Sequence, residues 1–329
     1  MPDVCIVQTF STVIAFQEEA TFKTSPAADA KVLYVKSESL QLNQPLFASE
    51  VIRANRNALA PSRGNFDIGG SIETELSPRM GSLLKFALGS ASSSAGPPYT
   101  HTIIIGGTTG LPSFLVEKGF TDVVAMSGDK AYFLFNGCRV NTWNLTFTNE
   151  GILQTSFDIM GCKVTTSATP FDATPTVFPH DAWDMTECAI TEGGSPIAIV
   201  QECAMTLENN LDGTVYVIGG AGERECLPAG YARVSGTLTA LFRNMDLYTK
   251  AENFTETSLV FTFSRGNGLG SAGNESMVIT IPELKFGQIG PAVEGTGGIK
   301  ISFPWEAYYD DAAQATSLQI VLKNADVTI

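Results

Sequence analysis

Gly268-Leu269-Gly270-Ser271-Ala272-Gly273 has the G-x-G-x-x-G spacing of a dinucleotide-binding turn, and it follows the strand-like run SLVFTFS. Such a site needs a helix opening at the glycines, so that backbone N–H groups face a pyrophosphate. The residues that follow, ESMVITIPEL, alternate with the period of a strand, so the glycines read as a hairpin loop. His101 lies in the strand-like THTIIIG and His180 in a Pro-rich stretch, and neither has an identifiable nucleophile or orienting carboxylate. Asp310-Asp311 and the Glu223/Glu225 pair fall in loop-like sequence and read as solvated or interface acids. Cysteines stand at 5, 138, 162, 188, 203 and 226, none in C-x-x-C spacing. No catalytic, cofactor-binding or metal site is therefore assigned, and no enzymatic role is expected.

Cys138 and Cys162 lie symmetrically about Asn149-Glu150-Gly151. A hairpin that keeps its register would set them opposite one another. Two packed thiols are the expectation in a reducing compartment, with a bond between them left open.

These residues must be positioned by strands. Charged residues make up only 16% of the 329, hydrophobic residues 44%, and 31 glycines and 16 prolines punctuate the chain. Thr, Ser, Val, Ile and Phe are frequent, a β-rich composition. Period-two runs recur at Phe66/Ile68/Ile72, Trp143/Leu145/Phe147, Leu153/Phe157/Ile159, Leu259/Phe261/Phe263, Met277/Ile279/Ile281, Ile299/Ile301/Phe303/Trp305 and Leu318/Ile320/Leu322. Two short helices are expected. One runs through SPRMGSLLKFALG, with Ser77 as N-cap, Pro78 at N1 and Gly89 closing it. The other follows Asn244 as cap, with Leu247, Tyr248 and Ala251 as its stripe. Residues 90–100 (SASSSAGPPYT) read as a loop, and residues 166–183, with three prolines, as a linker.

The net charge of −14 removes the electrostatic attraction that drives non-specific nucleic-acid binding. It leaves room for a surface past which DNA slides. No basic segment precedes the first apolar residues and no run approaches 18 apolar residues, so neither an export signal nor a membrane span is expected and folding in a cytoplasm is.

The chain repeats itself. GSIETEL at 70–76 returns as GTLTALF at 236–242, an offset of 166. Leu40-Gln41-Leu42-Asn43 returns as Met205-Thr206-Leu207-Glu208, an offset of 165. Each pair is followed by a short helix and by late strands, with Gly151-Ile152 matched by Gly298-Ile299 at an offset of 147. A tandem duplication of one β domain is expected: residues 1–165, with 1–30 as a possible N-terminal arm, a linker at 166–183, and residues 184–329.

The LYVKSESLQLN strand, the basic loop holding Arg53 and Arg56, GSIETELSP leading into GSLLKFALG, THTIIIG, LPSFLVEKGF and NGCRVNTWNLTFTNEG occur in an order that resembles the tail tube proteins of tailed bacteriophages. The likeness covers residues 30–165; the second half follows through the duplication and SLQIVLKNADV. The resemblance implies a mainly β chain with two tandem tail-tube-like β-sandwich or barrel domains, each flanked by a short helix. It implies a structural virion protein that forms stacked rings around a genome conduit. Duplicated members look like trimers with pseudo-sixfold symmetry. The implied partners are further copies of the chain and other tail proteins (tape measure, terminator, distal tail). DNA would pass through the lumen without specific binding, and assembly would occur in the host cytoplasm. By the same resemblance the loop at 43–64, with Arg53, Arg56 and Arg63, contacts the next ring. The competing reading is a two-domain β-rich adhesin or receptor-binding protein.

Overall fold

The computed structural model describes residues 9–94, 96–106, 110–123, 130–292, 298–327 and 329. The fold is mainly β, with period-two burial along the principal strands. Gln154–Gly161 alternates half-buried and buried along its whole length, and Lys300–Ala307 alternates exposed and buried. The sheets do not close into a barrel within the chain. They stack as a sandwich over one continuous core, which includes Trp143, Phe157, Phe261, Phe303 and Trp305.

Two sets of strands follow the same pairing order. In the N-terminal set, Thr12–Glu18 pairs with Phe114–Phe120, which pairs with the first part of Tyr132–Thr148, which pairs with Lys163–Ser167. The second part of Tyr132–Thr148 pairs with Gln154–Gly161, then Asp67–Glu75, then Gln41–Asn43. In the C-terminal set, Cys188–Glu192 pairs with Thr257–Ser264, which pairs with Ser276–Phe286, which pairs with Gln319–Asn324. The end of Ser276–Phe286 pairs with Lys300–Ala307, then Arg233–Leu241, then Val200–Glu208.

Register agrees residue by residue. Ile72 faces Phe157 as Leu238 faces Phe303, and Gly70 faces Ile159 as Gly236 faces Trp305. Both sets carry a bulge at the same place, between Phe114 and Val116 and between Thr257 and Leu259. The glycine that opens each repeated heptad has one physical cause. A Cβ on Gly70 would collide with the backbone of Ser39 and Leu40; a Cβ on Gly236 would collide with the Ala204 carbonyl and the Trp305 ring. Only glycine lets the neighbouring strand cross so closely.

The helices lie where the apolar stripes put them, with different caps. The first, α1 (Gly81–Leu88), buries Leu83, Leu84, Ala87 and Leu88 and ends at left-handed Gly89 (φ 103°). Its N-cap is Met80, not Ser77, and no side chain caps it. Ser77 Oγ instead accepts from Arg79 N (3.2 Å), so Ser77 and Pro78 build a turn one step ahead of the helix. The second, α2 (Asp246–Glu252), buries Leu247 and Ala251; Met245 occupies its N-cap.

Three other expectations change. Within residues 90–100, Gly89–Ser93 and Tyr99–Ile105 form a hairpin rather than a plain loop. Its inner strand, Tyr99–Ile105, extends the C-terminal set by pairing with Gln319–Asn324, a partner more than 200 residues away. Residues 166–183, read as a linker, pack against the sheet. Lys163–Ser167 and Thr176–Val177 join the sheet, and Trp183 is fully buried 5.7 Å from Phe263. Arg265 lies 4.8 Å from the Trp183 ring and pairs with Glu187 (2.6 Å) and with Asp181. Finally, the hairpin around residues 149–151 does not keep register. Trp143 faces Phe157, but a bulge between Val140 and Thr142 shifts the pairing so that Val140 faces Ile159. Cys138 and Cys162 are free buried thiols offset from one another.

Burial pushes the Cys138 thiol well up, Cys162 to about 11 and Cys203 to about 12. The thiolate is the reactive form. With N-ethylmaleimide at pH 8, these three are therefore expected to stay unmodified in native protein and to react fully in 6 M guanidinium. Peptide mass spectrometry that finds them alkylated in native protein would reject this packing.

Candidate functional site

The residues with catalytic potential are used structurally. His101 is fully buried; its Nε2 donates to Asn324 Oδ1 (3.1 Å) and the Asp326 carbonyl (3.0 Å), and its Nδ1 shares a hydrogen bond with Ser93 Oγ (2.7 Å). This fastens the Tyr99–Ile105 strand to the end of Gln319–Asn324. His180 meets Glu75 (2.7 Å) at the surface, 55% exposed. Gly268 to Gly273 form the hairpin loop between two antiparallel strands, with Asn274 Oδ1 accepting from Asn267 N (2.9 Å). Among the described residues no three His, Cys, Asp or Glu side chains gather as metal ligands. Among the described residues no helix is long and apolar enough to cross a membrane.

What the fold does present is an extended sheet with open edges. Residues 142–148 pair with residues 202–208, from Thr142 opposite Glu208 to Thr148 opposite Glu202. This joint fuses the two sets into one ladder of eight strand positions, in the order 41–43, 67–75, 154–161, 142–148, 202–208, 233–241, 300–307 and 284–286. At the joint Trp143 faces Leu207, and both are fully buried. Phe147 stacks on Phe261 at 4.1 Å, which locks the joint onto the second layer.

The other face of this ladder is polar. Asn144 bonds Ser156 (3.3 Å) and Thr206 (2.9 Å), and Thr239 bonds Ser302 (2.7 Å). Glu73, Asp158, Glu202, Glu208 and Glu306 alternate there with hydroxyl and amide groups. Arg233 on this face is held by Glu306 (2.9 Å).

Two long connections leave the ladder at corresponding places. Residues 44–66 hold Arg53, Arg56 and Arg63, all exposed, and none of the three makes an ion pair with another described residue. Arg53 donates only to the carbonyls of Asn57 and Ala58 in its own loop. Arg63 lies in the small hairpin Leu46–Phe47 with Ser62–Arg63. The tip exposes Leu46, Phe47, Val51 and Ile52, the last 99% exposed. The second connection, 209–232, is anchored by an arginine that sequence reasoning passed over. Arg224 is 3% exposed; its guanidinium donates to Gly213 O (2.8 Å), Ile68 O (2.8 Å) and Gly161 O (2.9 Å), and pairs with Asp67. In sequence it is one cation between Glu223 and Glu225, and its partners lie up to 157 positions away.

The family described as phage tail tube protein matches residues 9–307. The chain belongs to that family. Among curated proteins none matches the sequence. The tail tube family explains why the chemistry-bearing residues are spent on cohesion: its members are structural components of the virion tail, which self-assemble and associate with other tail proteins.

Proposed function

We propose that the chain is a tandem duplication of one tail-tube domain, residues 1–165 and 184–329. Three copies would close a pseudo-sixfold ring, and rings would stack into the conduit for genome delivery. One observation supports this reading above the others: the two strand sets repeat the same pairing order, register and bulge, and an internal joint already links them edge to edge. A unit whose two halves meet this way, with open edges at both ends, repeats naturally around an axis. The polar face of the ladder would line the lumen. It carries few cations, one of them neutralised by Glu306, so phosphates would find little to hold them. Assembly would take place in the host cytoplasm, with tape measure, terminator and distal tail proteins as further partners.

Negative-stain electron microscopy with mass photometry over a concentration series tests the ring. Trimeric rings or tubes are expected. Hexamers of the full chain would keep the tube and reject the duplication geometry; a monomer that binds a glycan would favour an adhesin.

In this reading Arg53, Arg56 and Arg63 contact acidic groups on the next ring, and the exposed apolar tip packs beside them. Arg53→Glu with Arg56→Glu is expected to leave the circular dichroism spectrum unchanged and to reduce tube length at least tenfold while rings persist. Tubes of normal length from that variant would reject the contact.

A further inference from the structure

Cys162 and Cys226 come from the two halves of the chain and converge at one corner of the fold. Arg139 lies opposite Met160 and Asn136 opposite Lys163, so the pairs between them set Cys138 opposite Gly161 and Gly137 opposite Cys162. Opposed residues share a face of the sheet, and successive residues of a strand alternate between faces. Cys138 therefore points into the core, of which it is a member. Cys162 points the other way, on the face it shares with Gly137, Arg139 and Met160. A Cβ added at Gly137 would lie 3.3 Å from the Cys162 sulfur, in agreement with this register.

The connection 209–232 covers that face. A Cβ on Gly213 would lie 2.6 Å from the terminal methyl of Met160. Arg139 Nη1 donates to Leu227 O (2.6 Å), and Arg224 Nη1 donates to Gly161 O (2.9 Å). Lys23 occupies the space over Gly137 beside the Cys162 thiol, and its Nζ donates to Arg224 O (2.8 Å). Cys226 is thus held between two pinned carbonyls, those of Arg224 and Leu227, over the corner where Cys162 lies. Lys23, Arg139, Arg224 and Cys226 all act electrostatically on the Cys162 thiol. Both thiols are free; Cys162 is fully buried and Cys226 is half-buried.

We propose that Cys226 is a modification site for small aliphatic disulfides, and that Cys162 resolves the modified thiol into a Cys162–Cys226 bond fastening the connection 209–232 to the first strand set. One oxidised glutathione balances one bond. The Cys226 thiolate attacks a glutathione sulfur, the glutathione S–S bond breaks, and one glutathione thiolate leaves. The Cys162 thiolate then attacks the Cys226 sulfur and expels the second glutathione. Both protein thiol protons end on the two glutathione thiols, so the protein loses two electrons and glutathione gains them. Cys226 is the entry point because it is the member of the pair open to solvent. Lys23, Arg139 and Arg224 line the corner and favour the thiolate in each step. Burial pushes the Cys162 thiol up to about 11, which makes closure the slower step and lets it speed up as pH rises. The bond forms within one chain, so it is independent of ring closure.

The test uses the full-length chain with Cys5→Ser, held at pH 8 in glutathione buffers from fully reduced to fully oxidised. Non-reducing peptide mapping is expected to find residue 162 linked to residue 226. The oxidised form is expected to melt roughly 5 °C higher, because the bond closes the loop spanning 162–226. Cys162→Ser is expected to stop at the mixed disulfide, with one glutathione on Cys226. Cys226→Ser, a change at a half-buried position, is expected to keep the parent circular dichroism spectrum and leave Cys162 a free thiol. Cys138→Ser should keep the bond. An oxidised parent in which Cys162 stays free, or pairs with Cys138 or Cys188 as readily as with Cys226, would overturn the proposal.

Discussion

Gly236→Val is expected to yield no soluble, cooperatively folding protein, and Gly236→Ala to lower the thermal midpoint by roughly 4 °C, for a cost of about 3 kcal/mol in a chain of this length. The new Cβ would enter the space of the Ala204 carbonyl and of the Trp305 ring. The carbonyl belongs to a strand paired along its whole length, so it cannot move aside alone. Trp305 is 2% exposed and has no free space to turn into. With total stability of about 5–15 kcal/mol, a branched side chain there exceeds what the fold can absorb. Gly70→Val is expected to behave alike, because Ser39 and Leu40 crowd that glycine from the matching strand. Gly110→Ala, where nothing lies within 4 Å, is the control and should melt with the parent. Soluble yield reads the two valine variants and scanning calorimetry the two alanine variants; a Gly236→Ala variant that melts with the parent would refute the close strand approach.

Arg224→Met is expected to cost about 3–5 kcal/mol, because up to three carbonyls lose their donor at about 1–3 kcal/mol each, while Asp67, 60% exposed, adds little. The loss is larger than that of one ion pair, because the guanidinium holds three backbone carbonyls from three separate segments as well as Asp67. Methionine fills much of the volume but leaves those carbonyls without donors. Arg224→Lys should recover little, since one ammonium cannot reproduce the planar fork. Urea denaturation measures the cost, and limited proteolysis locates it: cleavage within 209–232 should rise at urea concentrations where the parent is intact. A change below 1 kcal/mol would mean that water already serves these carbonyls.

The strands were legible because their burial alternates, and alternation is written locally. Trp143, Leu145 and Phe147 point inward as their spacing implies. The helical stripe and Gly89 were legible for the same reason. What sequence reading placed wrongly depended on partners. Ser77 had the right chemistry for a cap, yet the Met80–Ser77 turn consumed it first. Residues 90–93 looked like loop because small polar residues carry no period; a strand 200 residues away pairs with them through Tyr99–Ile105. One bulge beside Asn141 displaced the two cysteines. At the candidate assembly surfaces, the basic loop was visible as composition, whereas Arg224 was not. A single residue acquires such a role from its position at an edge or between carbonyls, and neither is encoded in its neighbours.

The strand Tyr132–Thr148 belongs to both layers: its first residues pair with Phe114–Phe120 and its last with Val200–Glu208. At ~3.3 Å per residue its contour is roughly 55 Å, bent at left-handed Gly137 (φ 63°) and at the bulge between Val140 and Thr142. A pull applied along it from one layer reaches the other through covalent bonds alone, with no hinge of loop between them. The layers therefore cannot peel apart one after the other. Rupture under load should come as a single event at high force, and the amides near its centre should be the last to exchange with solvent.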